Sequence, residues 1–258
     1  MDPAKTSEDR DQAYEQFKRI IDVHMSALSA LRLMVALPEA EHGLAALLHL
    51  RQGMGPNRAQ PTLDFAGDLI ALARLEQEDQ FATLRGLTLV SACGALEYLL
   101  KATFVDLAAT DLGAATKRIN SLKLRLPAAD VLGLQPVEQW HQIADAALLS
   151  LGQDFPRMHS RASALLLKYA PNPWGEDDHR HLSGALTEPK QRLLDEAFLV
   201  RNCLVHGGGK VSSTLAHFRG APANRGQPIR LDSASGPNLI AVLRDFADAV
   251  VTLGRGYV

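Results

Sequence analysis

The feature that most constrains this chain is the stretch 81–107, where apolar residues fall on nearly every face of a helix drawn through it. A helix that is apolar all round has to be buried at the centre of a fold. Ser91, Gly94 and Glu97 interrupt it, leaving uninterrupted apolar runs too short to span a bilayer. The rest of the chain must therefore supply covers for a central helix. Phe17, Ile20, Ile21, Leu28, Leu31 and Val35 recur at helical spacing from about Glu8 until Pro38 ends or kinks the run. Further helices are expected at 39–51 and 63–75, the first closed by the Gly and Pro of 53–57. The charged run 74–80 either joins the helix at 63–75 to the central one or separates them. Helical phasing also fits 137–151, 158–169 and 188–206, the last stopped by Gly207, Gly208 and Gly209. A small hairpin, with a strand at 229–231, is expected within 210–232, before a closing helix at 237–253 with Ser235 as its cap. Residues 1–8 read as a frayed tail and 9–258 as one all-α domain.

The 258 residues can bury a large core, and a hydrophobic share of 47% with 22% charged residues excludes wholesale disorder. Two cysteines, Cys93 and Cys203, are too few to staple a domain of this size, so they are expected as reduced thiols. No apolar signal core follows Met1. These readings point to a cytoplasmic protein with no membrane partner. The formal net charge of −2 argues against nonspecific coating of nucleic acid, so any RNA contact has to come from a local patch.

The segment Arg201-Asn202-Cys203-Leu204-Val205-His206-Gly207 carries the most chemistry. On a helical wheel, Leu193, Ala197, Val200 and Leu204 form one apolar row. Leu194, Phe198 and Val205 form the next, and Arg201 falls inside it. A guanidinium stays charged, so at such a position it needs an anionic partner. Asn202 and His206, four apart, share a different face with Asp195 and Leu199. The helix end thus gathers a cation, an amide and an imidazole, a plausible phosphate site. The spacing alone is weak: with 19 arginines and nine histidines, chance supplies about 0.7 Arg-x4-His matches. A second match, Arg19–His24, lies inside the first helix and reads as accidental.

Context separates the two matches. Residues 201–206 resemble the signature of the HEPN superfamily, in which Arg-x4-His closes a late helix and a polar residue, often Asn, follows the Arg. The helix at 87–104, with Ala95-Leu96-Glu97-Tyr98-Leu99-Leu100-Lys101, is similar to that family's first core helix and its Leu-Glu centre. The likeness covers about 79–108 and 188–255. It implies a HEPN-like helical bundle with core helices at about 79–108, 188–206 and 237–254, and makes 109–187 an insertion.

The resemblance implies a metal-independent endoribonuclease of the toxin or anti-phage kind, with no cofactor and an RNA substrate. His206 would be the general acid or base, Arg201 would stabilise charge on the phosphorane, and Asn202 would orient the phosphate or the imidazole. Two motifs lining one cleft imply a homodimer, and an antitoxin or sensor protein is a further partner of this family. Toxins paired with a nucleotidyltransferase carry a tyrosine two residues after the His. Gly208 stands there, which puts that form of regulation in doubt. The alternative is a non-catalytic HEPN-like module that binds nucleotide or RNA, acting as a helical interaction protein.

Glu97 has two readings that both stand: a helical pair with Lys101, or a carboxylate that holds Arg201. Lys117, Arg118, Lys123 and Arg125 would track an RNA backbone, although a solvated helix face explains them more simply. Asp177-Asp178-His179-Arg180-His181 lacks the frame of a metal site and reads as a solvated loop. Trp140 and Trp174 read as packing anchors rather than base-stacking platforms. The chain has no nucleophile elbow, P-loop, dinucleotide fingerprint or His-Glu-x-x-His motif.

Overall fold

The computed structural model describes residues 2–36, 59–121, 124, 134–154, 158–166 and 188–255. Among them the α-helices are α1 (Pro3–Ala36), α2 (Ala59–Glu78), α3 (Ala82–Thr110), α4 (Leu112–Ser121), α5 (Pro136–Asp154), α6 (Met158–Leu166), α7 (Glu188–His206), α8 (Ser213–Phe218) and α9 (Ser235–Arg255). One 3-10 turn, Pro222–Asn224, is added. The class is all-α. The helix expected at 39–51 and the end of the one at 158–169 lie outside the described residues.

α3 is the axis of the fold. Leu89, Ala92, Cys93, Leu96, Leu99, Leu100 and Phe104 are fully buried, and α1, α5, α7 and α9 all pack against this helix. Its most apolar window is 61% buried, as the interior helix of a folded protein requires. The charged run before it turns out to be a break. α2 ends at Glu78, and Gln80 and Phe81 take left-handed conformations (φ 54° and 58°) to reverse the chain. Two consecutive non-glycine residues in that region are strained. Burial of the Phe81 side chain, 5% exposed, and the Arg85 guanidinium donating to the Gln80 carbonyl hold the turn closed.

Two expectations are corrected. Residues 3–8 are not a frayed tail: α1 begins at Pro3, and Thr6 and Arg10 are buried. Their partner is Asp106, a carboxylate inside α3. It accepts from Thr6 Oγ1 at 3.0 Å, Ser7 Oγ at 2.8 Å and Arg10 Nη1 at 2.5 Å. A carboxylate in an apolar helix needs charge and hydrogen bonds, and the start of α1 supplies both.

The hairpin in 210–232 is reduced to one antiparallel bridge, Lys210 with Pro228. Val211 N–H donates to Gln227 O and Gly226 N–H to Val211 O, both at 2.9 Å. The chain between coils into α8, because the Ser212 hydroxyl accepts from Leu215 N–H at 3.1 Å and caps a helix there. Residues 229–231 form no strand. The start of α9 is likewise capped by Asp232, whose Oδ1 accepts from the Ala234 and Ser235 backbone, rather than by Ser235.

Candidate phosphate site at the end of helix α7

α7 spans the residues its periodicity indicates, and its packing explains how the motif emerges. Ala197 and Val200 are fully buried against α3 and α9, and Leu204 reaches over Gly86 of α3, where a Cβ would lie 3.5 Å from its Cδ1. The row holding Arg201 climbs out of the core along the helix. Leu194 is 0% exposed, Phe198 7% and Val205 46%, so Arg201 stands at the waterline. Asn202 and His206, one helical turn apart, are both exposed. Asp195, on their face but two turns deeper, is buried.

The guanidinium of Arg201 is held from two sides. Nη2 lies 3.6 Å from Glu97 Oε2 of α3, and Nη1 donates to Asn202 Oδ1 at 2.9 Å. Nε is buried and has no acceptor. Between the two readings of Glu97, the geometry selects the pair with Arg201, because Lys101 turns instead to Asp145 of α5. Beneath the pair sits Cys93, its Sγ 4.0 Å from the Ala197 carbonyl. Burial pushes this thiol far above its ordinary value; Glu97 adds to that effect and Arg201 opposes it. Cys93 and Cys203 are both free and buried.

The helix stops where the glycines require. Gly207 and Gly209 N–H both donate to the Cys203 carbonyl, at 3.0 and 3.1 Å, and Gly208 and Gly209 have positive φ. A Cβ on Gly207 would meet the Cys203 oxygen at 2.8 Å. His206 is therefore the last helical residue, with its ring directed away from the core.

Among the described residues, the other candidates do not join this site. Lys117 is exposed on α4, which also carries Arg118. Lys123, Arg125, Trp174 and the Asp177–His181 cluster lie outside the described residues. Among the described residues no group of three or more acidic, His or Cys side chains is placed to hold a metal. Trp140 is a packing anchor, its ring 6.1 Å from that of Phe104. Arg19 and His24 sit within α1, where His24 Nδ1 lies 2.7 Å from the Ile20 carbonyl.

Two groups were missed from the sequence although the signal was present. Arg85 and Asp106 are charges inside the same apolar helix as Glu97, and both are buried. Arg85 Nη1 donates to the Leu231 carbonyl at 3.0 Å, tying α3 to the segment before α9.

No family model, no curated protein and no solved structure matches this chain.

Proposed function

We propose that this chain is a metal-independent endoribonuclease of the HEPN type. The observation that carries this reading is the constellation at the end of α7. A cation is anchored at the waterline by Glu97, next to an exposed amide and an exposed imidazole on the adjoining helix face. Arg201 offers charge for a phosphate without leaving its carboxylate partner. His206 has the only side-chain type whose ordinary titration lies near neutral pH, and its ring stands open to a substrate.

In the proposed reaction the RNA 2′-hydroxyl attacks the adjacent phosphorus and loses its proton to an imidazole acting as general base. The P–O5′ bond breaks, and the leaving oxygen takes a proton from an imidazolium acting as general acid. The products are a 2′,3′-cyclic phosphate and a 5′-hydroxyl. A second copy of the chain, its motif facing the first across a shared cleft, supplies the second imidazole. Arg201 carries the charge of the phosphorane, and Asn202 orients the phosphate. The enzyme acts in a reducing cytoplasm, supported by the two buried free thiols, as a toxin or anti-phage effector under the control of an antitoxin or sensor.

The test is incubation of the wild-type protein and His206→Ala with a mixed RNA pool in EDTA, followed by mapping of the ends. Cleavage by wild type alone, leaving cyclic-phosphate and 5′-hydroxyl termini, is the expected result. Equal cleavage by both removes His206 from the mechanism.

A second reading, a binding module without turnover, draws on the Arg201–Asn202 hydrogen bond, because Asn202 and Glu97 already occupy both outer nitrogens of the guanidinium. It predicts retention of RNA or nucleotide by the wild type, with no cleavage.

A further inference from the structure

Among the described residues two guanidinium groups are buried, and one of them has no counter-ion. Arg10, 3% exposed, has a carboxylate on either side, Asp106 and Asp11. Arg85 of α3, 2% exposed, is held differently. Its Nη1 donates to the carbonyls of Gln80 and Leu231, the latter at 3.0 Å. Nε and Nη2 are buried and find no acceptor among the described residues. Those two nitrogens form one edge of the guanidinium, the edge that grips two oxygens of one anion side by side. The carbonyls on Nη1 fix the plane of the group and leave that whole edge unused.

A guanidinium keeps its charge in a protein, and a buried charge without a counter-ion is costly. Burial and the neighbouring charge of Arg32 hold this group below its ordinary value, against the pull of Asp232. Asp232 is engaged elsewhere. Its Oδ1 accepts from the Ala234 and Ser235 backbone and from the Ser235 hydroxyl, at 3.0, 2.7 and 2.8 Å, and so caps α9. Arg32 reaches over from α1, its guanidinium carbon 5.5 Å from the centre of the Phe81 ring. Two cations against one carboxylate leave this place short of negative charge. Arg32, Gln80 and Asp232 are all exposed, so the unused edge lies just beneath the surface.

We propose that the Nε–Nη2 edge of Arg85 binds an oxyanion of the phosphate class. Two of its oxygens accept from the edge, and Arg32 faces the charge that remains. The exposed side chains of Gln80 and Asp232 shift to admit it. A dianion answers two guanidinium groups better than the single charge of a carboxylate, and chloride, a single atom, cannot span the edge. With Nη1 already on Gln80 and Leu231, the bound ion completes a junction between the turn before α3 and the segment before α9. This site is separate from the constellation at the end of α7 and does not rest on the nuclease reading.

The experiment titrates inorganic phosphate into the full-length Arg201→Ala protein by calorimetry at constant ionic strength, so that the α7 site does not answer. Saturable binding of one ion per chain is expected, with sulfate competing and chloride inert. Arg85→Lys keeps the charge but not the edge, and is expected to raise Kd by about tenfold or more. Arg32→Glu changes an exposed helix position, so the fold is retained, and a rise in Kd of about tenfold is expected there too. The Tm of the Arg201→Ala parent should climb by about 3–6 °C for each tenfold of phosphate above Kd, and that of Arg85→Lys should not. Glycerol phosphate titrated in parallel distinguishes the source: tighter binding than inorganic phosphate assigns a phosphate ester, weaker binding the free ion.

Absence of saturable binding by the parent overturns the proposal, as does an affinity unchanged by Arg85→Lys. If Arg85→Lys does not fold, Arg32→Glu decides, and an unchanged Kd there overturns it. Phosphate bound by wild type but lost in Arg201→Ala assigns the ion to α7 instead. Acetate bound more tightly than phosphate refutes the choice of anion.

Discussion

Asp106→Ala should be among the most damaging single substitutions in this protein. The carboxylate is 2% exposed and receives three side-chain donors from the first turns of α1. Removing it leaves the Arg10 guanidinium, whose side chain is 3% exposed, with Asp11 alone at 3.1 Å. Stripping one partner from a buried ion pair costs about 3–5 kcal/mol. The hydroxyl hydrogen bonds of Thr6 and Ser7, about 0.5–1.5 kcal/mol each, do not simply add, because Ser7 is only half-buried and can turn to water. A second consideration sets an upper limit: the start of α1 can peel away and hydrate Arg10, so the loss settles near 3 kcal/mol, the low end of that range.

For a chain of this size that corresponds to a fall in Tm of about 6–12 °C. Urea unfolding followed by far-UV circular dichroism measures it directly, with an unchanged m-value confirming that the same transition is compared. The double variant Asp106→Leu/Arg10→Met should recover much of the loss, because a buried pair replaced as a whole by apolar groups is often neutral or stabilising. A loss below about 1 kcal/mol for Asp106→Ala, or a double variant no better than the single one, would refute this reasoning.

Two further predictions follow from the same packing. Gly236→Ala places a Cβ 2.6 Å from Cδ of Arg85, a side chain fixed by Leu231 and Gln80. Despite the helix propensity gained, the crowding is expected to destabilise the protein by about 1–2 kcal/mol in the same unfolding assay. His141 is held below its ordinary value by burial and by Lys101, against the opposing pull of Asp9 and Asp145. The unfolded chain therefore takes up a proton as the pH falls below about 6.5 that the folded chain resists, and the fold loses stability on acidification. His141→Gln should lose less stability than wild type between about pH 7.5 and 5.5; equal losses would show that this ring contributes nothing to the slope.

What could be read from the sequence divides along a physical line. The position of α3 follows from apolar residues on every face, and the bounds of α7 from periodicity at one end and three glycines at the other. Both signals are local. The docking of residues 3–10 was not legible, because Thr6, Ser7 and Arg10 look solvated until Asp106, 96 to 100 positions away, is brought beside them. Glycines and prolines in 210–232 announced a reversal of the chain, but not that Ser212 would cap a helix inside it. At the candidate site, Arg201, Asn202 and His206 were visible as a pattern, and Glu97 as a charge with two possible partners, Lys101 and Arg201. The groove between α1 and α3, lined by Ile20, Gly94 and Tyr98 among others, was invisible, because it exists only once α1 lies along α3.

The pairing of α1 with α9 has a consequence for how this molecule is made. Tyr14 bonds Asp248, and Asp22 bonds Arg244, across 234 and 222 positions, while α9 also covers α3 and α7. On the ribosome, the central helix therefore emerges long before its last cover is translated. Such distant pairings come late in folding and leave apolar surface open meanwhile. An unfinished copy is expected to depend on chaperones and to lack a set position for Arg201 and His206. Any activity that resides in that pair would then switch on only once translation has passed α9, so that an interrupted synthesis yields an inert fragment.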